Sequence, residues 1–222
     1  MRWNRAKRIG LGWIGIACAV SCLAAQTVRE EPYEKYANER QPPEQVMTMA
    51  GIKPGMIIGE IGAGHGRYTV HLASRVGPNG KIYANDIEAK ALAAVAERCK
   101  RDGIGNIETV LGGVDDPRFP RTGLDMIFMV WTYHMLEKPV DLLRNLARYL
   151  KPGATVVLLE PVPAETEEEI KAETDRTGRR PGNIQAVSKK SLENDAARAG
   201  FEIVRADASL KMDTLFILRV KK

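Results

Sequence analysis

Beyond residue 43 the chain alternates short, mostly apolar runs with longer stretches in which apolar residues recur every three or four positions. Runs at 56–61, 81–85, 107–111, 126–131 and 155–160 have the length of strands. Between them, 88–101 places Leu92, Val95, Ala96 and Cys99 on one helical face, and 139–150 does the same with Val140, Leu143, Ala147 and Leu150. A third helix is expected over 66–76, and a short one over 43–49, opened by Pro43 and stopped by Gly51. Apolar strands separated by amphipathic helices imply an α/β fold with a parallel sheet covered on both faces. The C-terminal end breaks this alternation. Ser188 caps a helix closed by Gly200, and strands at 202–206 and 214–220 then follow with no helix between them, so these two should pair antiparallel.

The chain has 222 residues, 44% of them hydrophobic and 27% charged, which suffices for one substantial core and excludes disordered, collagenous and multi-span membrane classes. The net charge of +5 is misleading, because Arg2, Arg5, Lys7 and Arg8 precede residue 27 without any acid, leaving 29 basic against 28 acidic residues in the body. A near-neutral body gives no argument for nucleic acid as a partner. Cys18 and Cys22 lie in the N-terminal stretch and only Cys99 lies in the body, which excludes a disulfide framework or a cysteine-built zinc site there.

Residues 1–25 have a basic start, an uncharged run from 9 to 25 and a small-residue end, the pattern of a secretory signal peptide. The uncharged run has 17 residues and three glycines, at the lower limit for a bilayer core of about 30 Å. Export is therefore expected ahead of a retained membrane anchor. Ala19-Val20-Ser21-Cys22 also resembles a lipobox, with Cys22 as the lipidated residue and Ala19 where leucine is preferred. The basic residues keep that end cytoplasmic, which places the body on the periplasmic side. Residues 26–42, polar and proline-containing, read as a linker, and 43–222 as one domain. The segment 161–183, an acidic half before a basic half, is either a solvated helix and loop or a cover over a site at the carboxyl ends of the strands.

Candidate chemistry gathers at Gly59-Glu60-Ile61-Gly62-Ala63-Gly64-His65-Gly66, which ends the first strand and opens the first long helix. Glycines there permit positive φ and close approach of a ligand, and the free N–H groups of the helix start favour an anion. Asp86 ends the second strand 20 residues beyond Gly66, where an acid can accept both ribose hydroxyls of a nucleoside or else cap the following helix. A dinucleotide fingerprint needs a third small residue three positions after Gly64; Arg67 stands there, which disfavours NAD.

The acid-x-Gly-x-Gly-x-Gly run from Glu60 to Gly66 resembles motif I of class I S-adenosylmethionine-dependent methyltransferases. The resemblance extends over roughly 43–222, through Asp86, the stretch 112–120, the Leu124-Asp125-Met126-Ile127-Phe128 opening of the fourth strand and LARYLKPGATVVLLE at 146–160. It is nearest to the small-molecule group that includes quinone-biosynthesis enzymes and to exported or membrane-associated bacterial members. It implies a Rossmann-like, doubly wound seven-stranded sheet in three α/β/α layers, with the last strand antiparallel between the fifth and sixth. It implies S-adenosyl-L-methionine as cofactor, with Gly62, Gly64 and Gly66 along its methionine and ribose, Glu60 at its amino group and Asp86 on its ribose. The sequence departs from the group at Gly112-Gly113-Val114, where members carry Gly-Asp-Ala with the acid on adenine; Asp115 or Asp116 can substitute, or simply start the turn before Pro117.

Methyl transfer from a sulfonium demands alignment, exclusion of water and a proton acceptor, with no metal or covalent nucleophile. After the fourth strand the chain reads Trp131-Thr132-Tyr133-His134-Met135. His134 is the candidate general base, against a purely structural histidine. Trp131 and Tyr133 either stack on a flat acceptor or pack beside the cofactor. Glu160, at the end of the fifth strand, is either near the acceptor or a solvated loop-start acid, and His65 and His71 receive no chemistry. The acceptor is expected to be a small molecule or lipid-like. The alternative is a non-catalytic exported domain keeping a nucleoside-binding fold as an interaction module.

Overall fold

The computed structural model describes residues 28–161, 187–210 and 213–221. Strands β1 (Ile57–Ile61), β2 (Lys81–Asp86), β3 (Ile107–Leu111), β4 (Leu124–Val130), β5 (Leu150–Pro161), β6 (Phe201–Leu210) and β7 (Asp213–Val220) form one seven-stranded sheet in the order β3-β2-β1-β4-β5-β7-β6. β1 to β5 run parallel, and β7 inserts antiparallel between β5 and β6. Central strands are buried on both faces, as in Val156–Leu159 of β5, whereas β3 and β6 at the edges keep exposed positions.

Helices α1 (Lys35–Arg40), α2 (Pro43–Ala50), α3 (Arg67–Val76), α4 (Ala89–Arg101), α5 (Pro139–Leu146) and α6 (Lys189–Arg198) cover the sheet. Val46 and Met47 of α2 and Tyr68 and Leu72 of α3 pack with Ile58, Phe128 and Val157, while α5 and α6 supply Leu142, Leu143, Leu146 and Leu192 to a second core with Ile127, Leu158 and Phe216. Each fully buried leucine or phenylalanine contributes about 1.5–3 kcal/mol. The result is the three-layer Rossmann-like arrangement. Because β1 sends its connection to β2 on one side and pairs with β4 on the other, a crevice opens at their carboxyl ends.

The helix expected over 139–150 stops at Leu146. Residues Ala147–Tyr149 form a 3-10 turn, and Leu150 already begins β5, pairing with Leu124. The expected linker at 26–42 is corrected more deeply over its described part. Residues Pro32–Glu34 form a 3-10 turn and α1 follows, both fixed to the body by ion pairs and hydrogen bonds. Glu34 is fully buried and bidentate with Arg98 of α4, at 2.6 and 3.0 Å. Arg67, the first residue of α3, donates to Asn38 Oδ1 at 3.1 Å and Gln41 Oε1 at 2.6 Å. Arg40 grips Asp213 of β7 with two bonds, at 2.7 and 3.0 Å. Charged side chains that read as linker in isolation are buried here because each meets its counterion. The segments 1–25 and 162–183 lie outside the described residues.

Candidate active site

The glycine run crosses from β1 to α3 with Gly62, Gly64 and Gly66 all at positive φ, +74°, +53° and +83°. The space around Gly62 and Gly64 differs. A Cβ on Gly62 would collide with the Thr132 side chain, so the loop lies directly against the segment that follows β4. At Gly64 nothing lies within 4 Å of a would-be Cβ, so space is open in front of the loop, among the described residues. The Gly64 N–H donates to Asp86 Oδ2 at 2.8 Å, and Asp86 Oδ1 accepts from the Glu88 N–H at 3.0 Å. Asp86 thus fixes the turn between β2 and α4 and also faces the glycine loop, and each carboxylate oxygen keeps a further lone pair.

Glu60, on β1, is buried behind the loop and accepts from Thr69 Oγ1 at 2.6 Å. Burial pushes its carboxyl up to about 7, against the opposing Thr69 hydrogen bond and the Arg67 charge. Such a group gains most from an incoming cation, which is what an ammonium would supply. Ile87, Leu111 and Val114 are exposed apolar side chains following or ending β2 and β3, suited to the faces of a purine. The open space at Gly64, the acid beside it and these apolar flanks have the chemistry that a nucleoside such as S-adenosylmethionine needs.

The two candidates for the adenine contact separate. Asp116 is engaged by the Tyr149 hydroxyl at 2.8 Å, by Arg148 and by the Arg118 N–H at 3.0 Å; burial raises its carboxyl, but these bonds prevail and hold it below the ordinary range. Asp115 lies half-exposed, 3.9 Å from Lys138 Nζ. Asp125 sits at the opposite end of the sheet, accepting from Ile57 N–H at 2.8 Å and from Lys151 at 2.6 Å.

On the acceptor side, Trp131 stands at φ +50° with its indole N–H on Asp213 Oδ1 at 2.7 Å. The guanidinium carbons of Arg40 and Arg67 lie 4.8 and 5.7 Å from its ring centroid. Of its two expected roles, packing is the one these contacts describe. Tyr133 is buried, its hydroxyl donating to Asp195 at 3.0 Å, and burial holds the phenol protonated well above its usual range. His134 follows in a 3-10 turn (Tyr133–Met135), its Nδ1 2.7 Å from Glu160 Oε2. Glu160 is fully buried, which removes the solvated-acid alternative, and its Oε1 accepts from Thr132 N–H at 2.9 Å and Tyr133 N–H at 2.7 Å. Its position directly after Val156–Leu159 is the signal: an acid closing a strand buried on both faces needs internal partners. His71 is partly buried on α3 with Nε2 unpartnered, and burial lowers its pKa.

A sheet of this order, with a glycine loop and an acid ending the neighbouring strand at its switch point, is the Rossmann-like arrangement of methyltransferases. Residues 58–153 match the family model described as a methyltransferase domain. The ubiquinone/menaquinone biosynthesis C-methyltransferase UbiE of Ectopseudomonas mendocina (strain ymp) is 30% identical over 115 residues, 51% of this chain and 45% of that protein. The nocamycin O-methyltransferase of Saccharothrix syringae is 27% identical over 119 residues, 54% of this chain and 42% of that protein. Among solved structures, a SAM-dependent methyltransferase from Aquifex aeolicus superposes with a TM-score of 0.72 at 25% identity, over 85% of this chain and 93% of that one. The chain is similar to class I S-adenosylmethionine-dependent methyltransferases, quinone-biosynthesis enzymes among them, and S-adenosylmethionine is the cofactor of that family. The matches span under half the length of those two curated relatives.

Proposed function

We propose that this protein transfers a methyl group from S-adenosylmethionine to a small-molecule or lipid-like acceptor. The observation that carries this reading is the glycine loop at the β1–β4 crevice, with open space at Gly64, Asp86 bonded to its N–H and buried Glu60 behind it. When bound, the cofactor supplies an electrophilic methyl already activated by positive charge. Asp86 accepts from the ribose hydroxyls, Glu60 attracts the amino group, and the N–H groups of the glycine loop approach the methionine portion. The purely binding alternative is disfavoured by the histidine–carboxylate pair on the acceptor side, which a binding module has no need to build.

Calorimetric titration of the chain lacking 1–25 with S-adenosylmethionine, S-adenosylhomocysteine and NAD tests this. Both sulfur nucleosides should bind and NAD should not. Asp86→Ala, losing charge-assisted bonds worth about 1.5–3 kcal/mol, should weaken binding on the order of 10–100-fold with the fold intact. Unchanged affinity in a folded variant removes the assignment.

We further propose that residues 1–25 direct the domain to the periplasmic side of the inner membrane, supported by four basic residues ahead of an uncharged run. A fusion of 1–30 to a reporter active only outside that membrane should be active. A silent reporter together with an intact N-terminus in the cytosol contradicts it.

A further inference from the structure

The acceptor side contains a hydrogen-bond set that determines which ring nitrogen of His134 carries the proton. Glu160 is the next-to-last residue of β5, and the 3-10 turn holding His134 follows β4, its parallel neighbour, so both side chains emerge at the same edge of the sheet. Glu160 Oε1 receives two backbone N–H groups, from Thr132 and Tyr133, which can only donate. Two amide donors on Oε1 stabilise the charged form of the group, a carboxylate that accepts at every lone pair. Against a carboxylate, the 2.7 Å contact between Oε2 and His134 Nδ1 places the hydrogen on Nδ1. Nε2 is left with a lone pair. It has no protein partner among the described residues, and the side chain retains 16% of its exposure.

Resting on the methyltransferase reading above, we propose that Glu160 is a positioning residue that locks His134 in its Nδ1–H form, so that Nε2 takes a proton from the acceptor. The site therefore serves acceptors that arrive with a proton on the reacting atom, such as phenols and quinols. In the balanced step, the acceptor oxygen forms the bond to the methyl carbon, the electrons of the sulfonium C–S bond go to sulfur, and the acceptor's proton passes to Nε2. The resulting imidazolium faces the Glu160 carboxylate, so the charge that develops is already matched by a buried countercharge. Tyr133 does not compete as base, because its hydroxyl is donated to Asp195 and burial holds it protonated. Thr132 adds a positioning link: its N–H binds Glu160 while its side chain blocks any Cβ on Gly62, so the proton acceptor and the cofactor loop share one support.

Long-range proton–nitrogen spectra of the ¹⁵N-histidine-labelled full chain, above the titration of its histidines, read the tautomer directly. The chain has three histidines, and the spectrum of His134→Gln assigns the relevant one. His134 should show Nδ1 protonated and Nε2 bare. Glu160→Gln keeps an oxygen for the two backbone amides but turns an NH₂ toward Nδ1, so the proton should move to Nε2 while S-adenosylhomocysteine affinity stays within about threefold. An Nε2–H tautomer in the wild type, or an unaltered tautomer in a folded Glu160→Gln variant, overturns the proposal. If that variant does not fold, the wild-type tautomer alone decides. Transfer of labelled methyl to a panel of phenols, quinols, tertiary amines and thioethers tests the acceptor class: phenols or quinols should be methylated, and transfer to none of them overturns it. Failure of the wild type to bind S-adenosylhomocysteine would remove the methyltransferase reading itself, a result independent of the tautomer.

Discussion

At the scale of single residues, the glycine loop separates two costs that the sequence alone merges into one motif. Gly62 and Gly64 both have left-handed φ, which costs a substituted alanine about 1–2 kcal/mol. Only at Gly62 does a new Cβ also meet Thr132, adding overpacking on the order of 1–3 kcal/mol. Gly62→Ala should therefore lower unfolding free energy by about 2–5 kcal/mol and Gly64→Ala by about 1–2, as read by urea denaturation. Thr132→Ala should recover part of the first loss and none of the second. Equal losses with no recovery would show that backbone strain alone governs both. The loop and Asp86 were legible because spacing on a strand–loop–helix frame carries their chemistry. The partners of Glu160 were not, since a hydrogen bond across 26 positions leaves no local pattern; only its place after a fully apolar strand hinted at burial.

At the scale of elements, the periodic segments and the structure agree because their apolar faces decide their packing. The strap formed by residues 28–42 shows where that signal fails. Lys35–Arg40 has no apolar stripe and is anchored by ion pairs, so its sequence looks like a solvated linker. Arg67 illustrates the same point: the residue that argues against a dinucleotide site is the hook that holds Asn38 and Gln41. Dependence on buried pairing makes the strap sensitive to single changes. Arg98 and Glu34 side chains are 4% and 0% exposed, and Glu34→Ala leaves a buried, uncompensated guanidinium. A loss of about 3–5 kcal/mol is expected. Arg101→Ala, which breaks the exposed pair with Glu31, should cost at most about 1 kcal/mol. Urea midpoints of the two variants measure the contrast, and similar small losses would mean that the strap is held by packing instead.

For the whole molecule, the antiparallel end was legible because two strands without an intervening helix have few ways to join a sheet, whereas the balance of buried ionisable groups emerges only from the assembled fold. Two such groups act in opposite directions on stability. Glu60, raised by burial from 4.5 to about 7, keeps its proton in the native state after the unfolded chain has lost it. Its contribution is therefore largest in acid and is lost as pH rises from about 4.5 to about 7, a change bounded near 3 kcal/mol at about 1.4 kcal/mol per pH unit. His71 has the reverse sign. Burial lowers its pKa below 6.5, so the unfolded chain takes up a proton first and stability declines as pH falls below 6.5. The lowered carboxyls of Asp102, Asp116 and Asp207 begin at 3.8, below this window. Just below pH 6.5 the two contributions oppose each other, and between 6.5 and 7 only Glu60 of the two acts. Wild-type urea midpoints, measured without cofactor, should change less steeply with pH just below 6.5 than between 6.5 and 7, where they should fall. Glu60→Gln should remove the fall near neutrality and expose a steady loss on acidification below 6.5, while His71→Gln should gain stability over the same acid range. A Glu60→Gln variant that still loses stability between pH 6.5 and 7 would assign the effect to a different group.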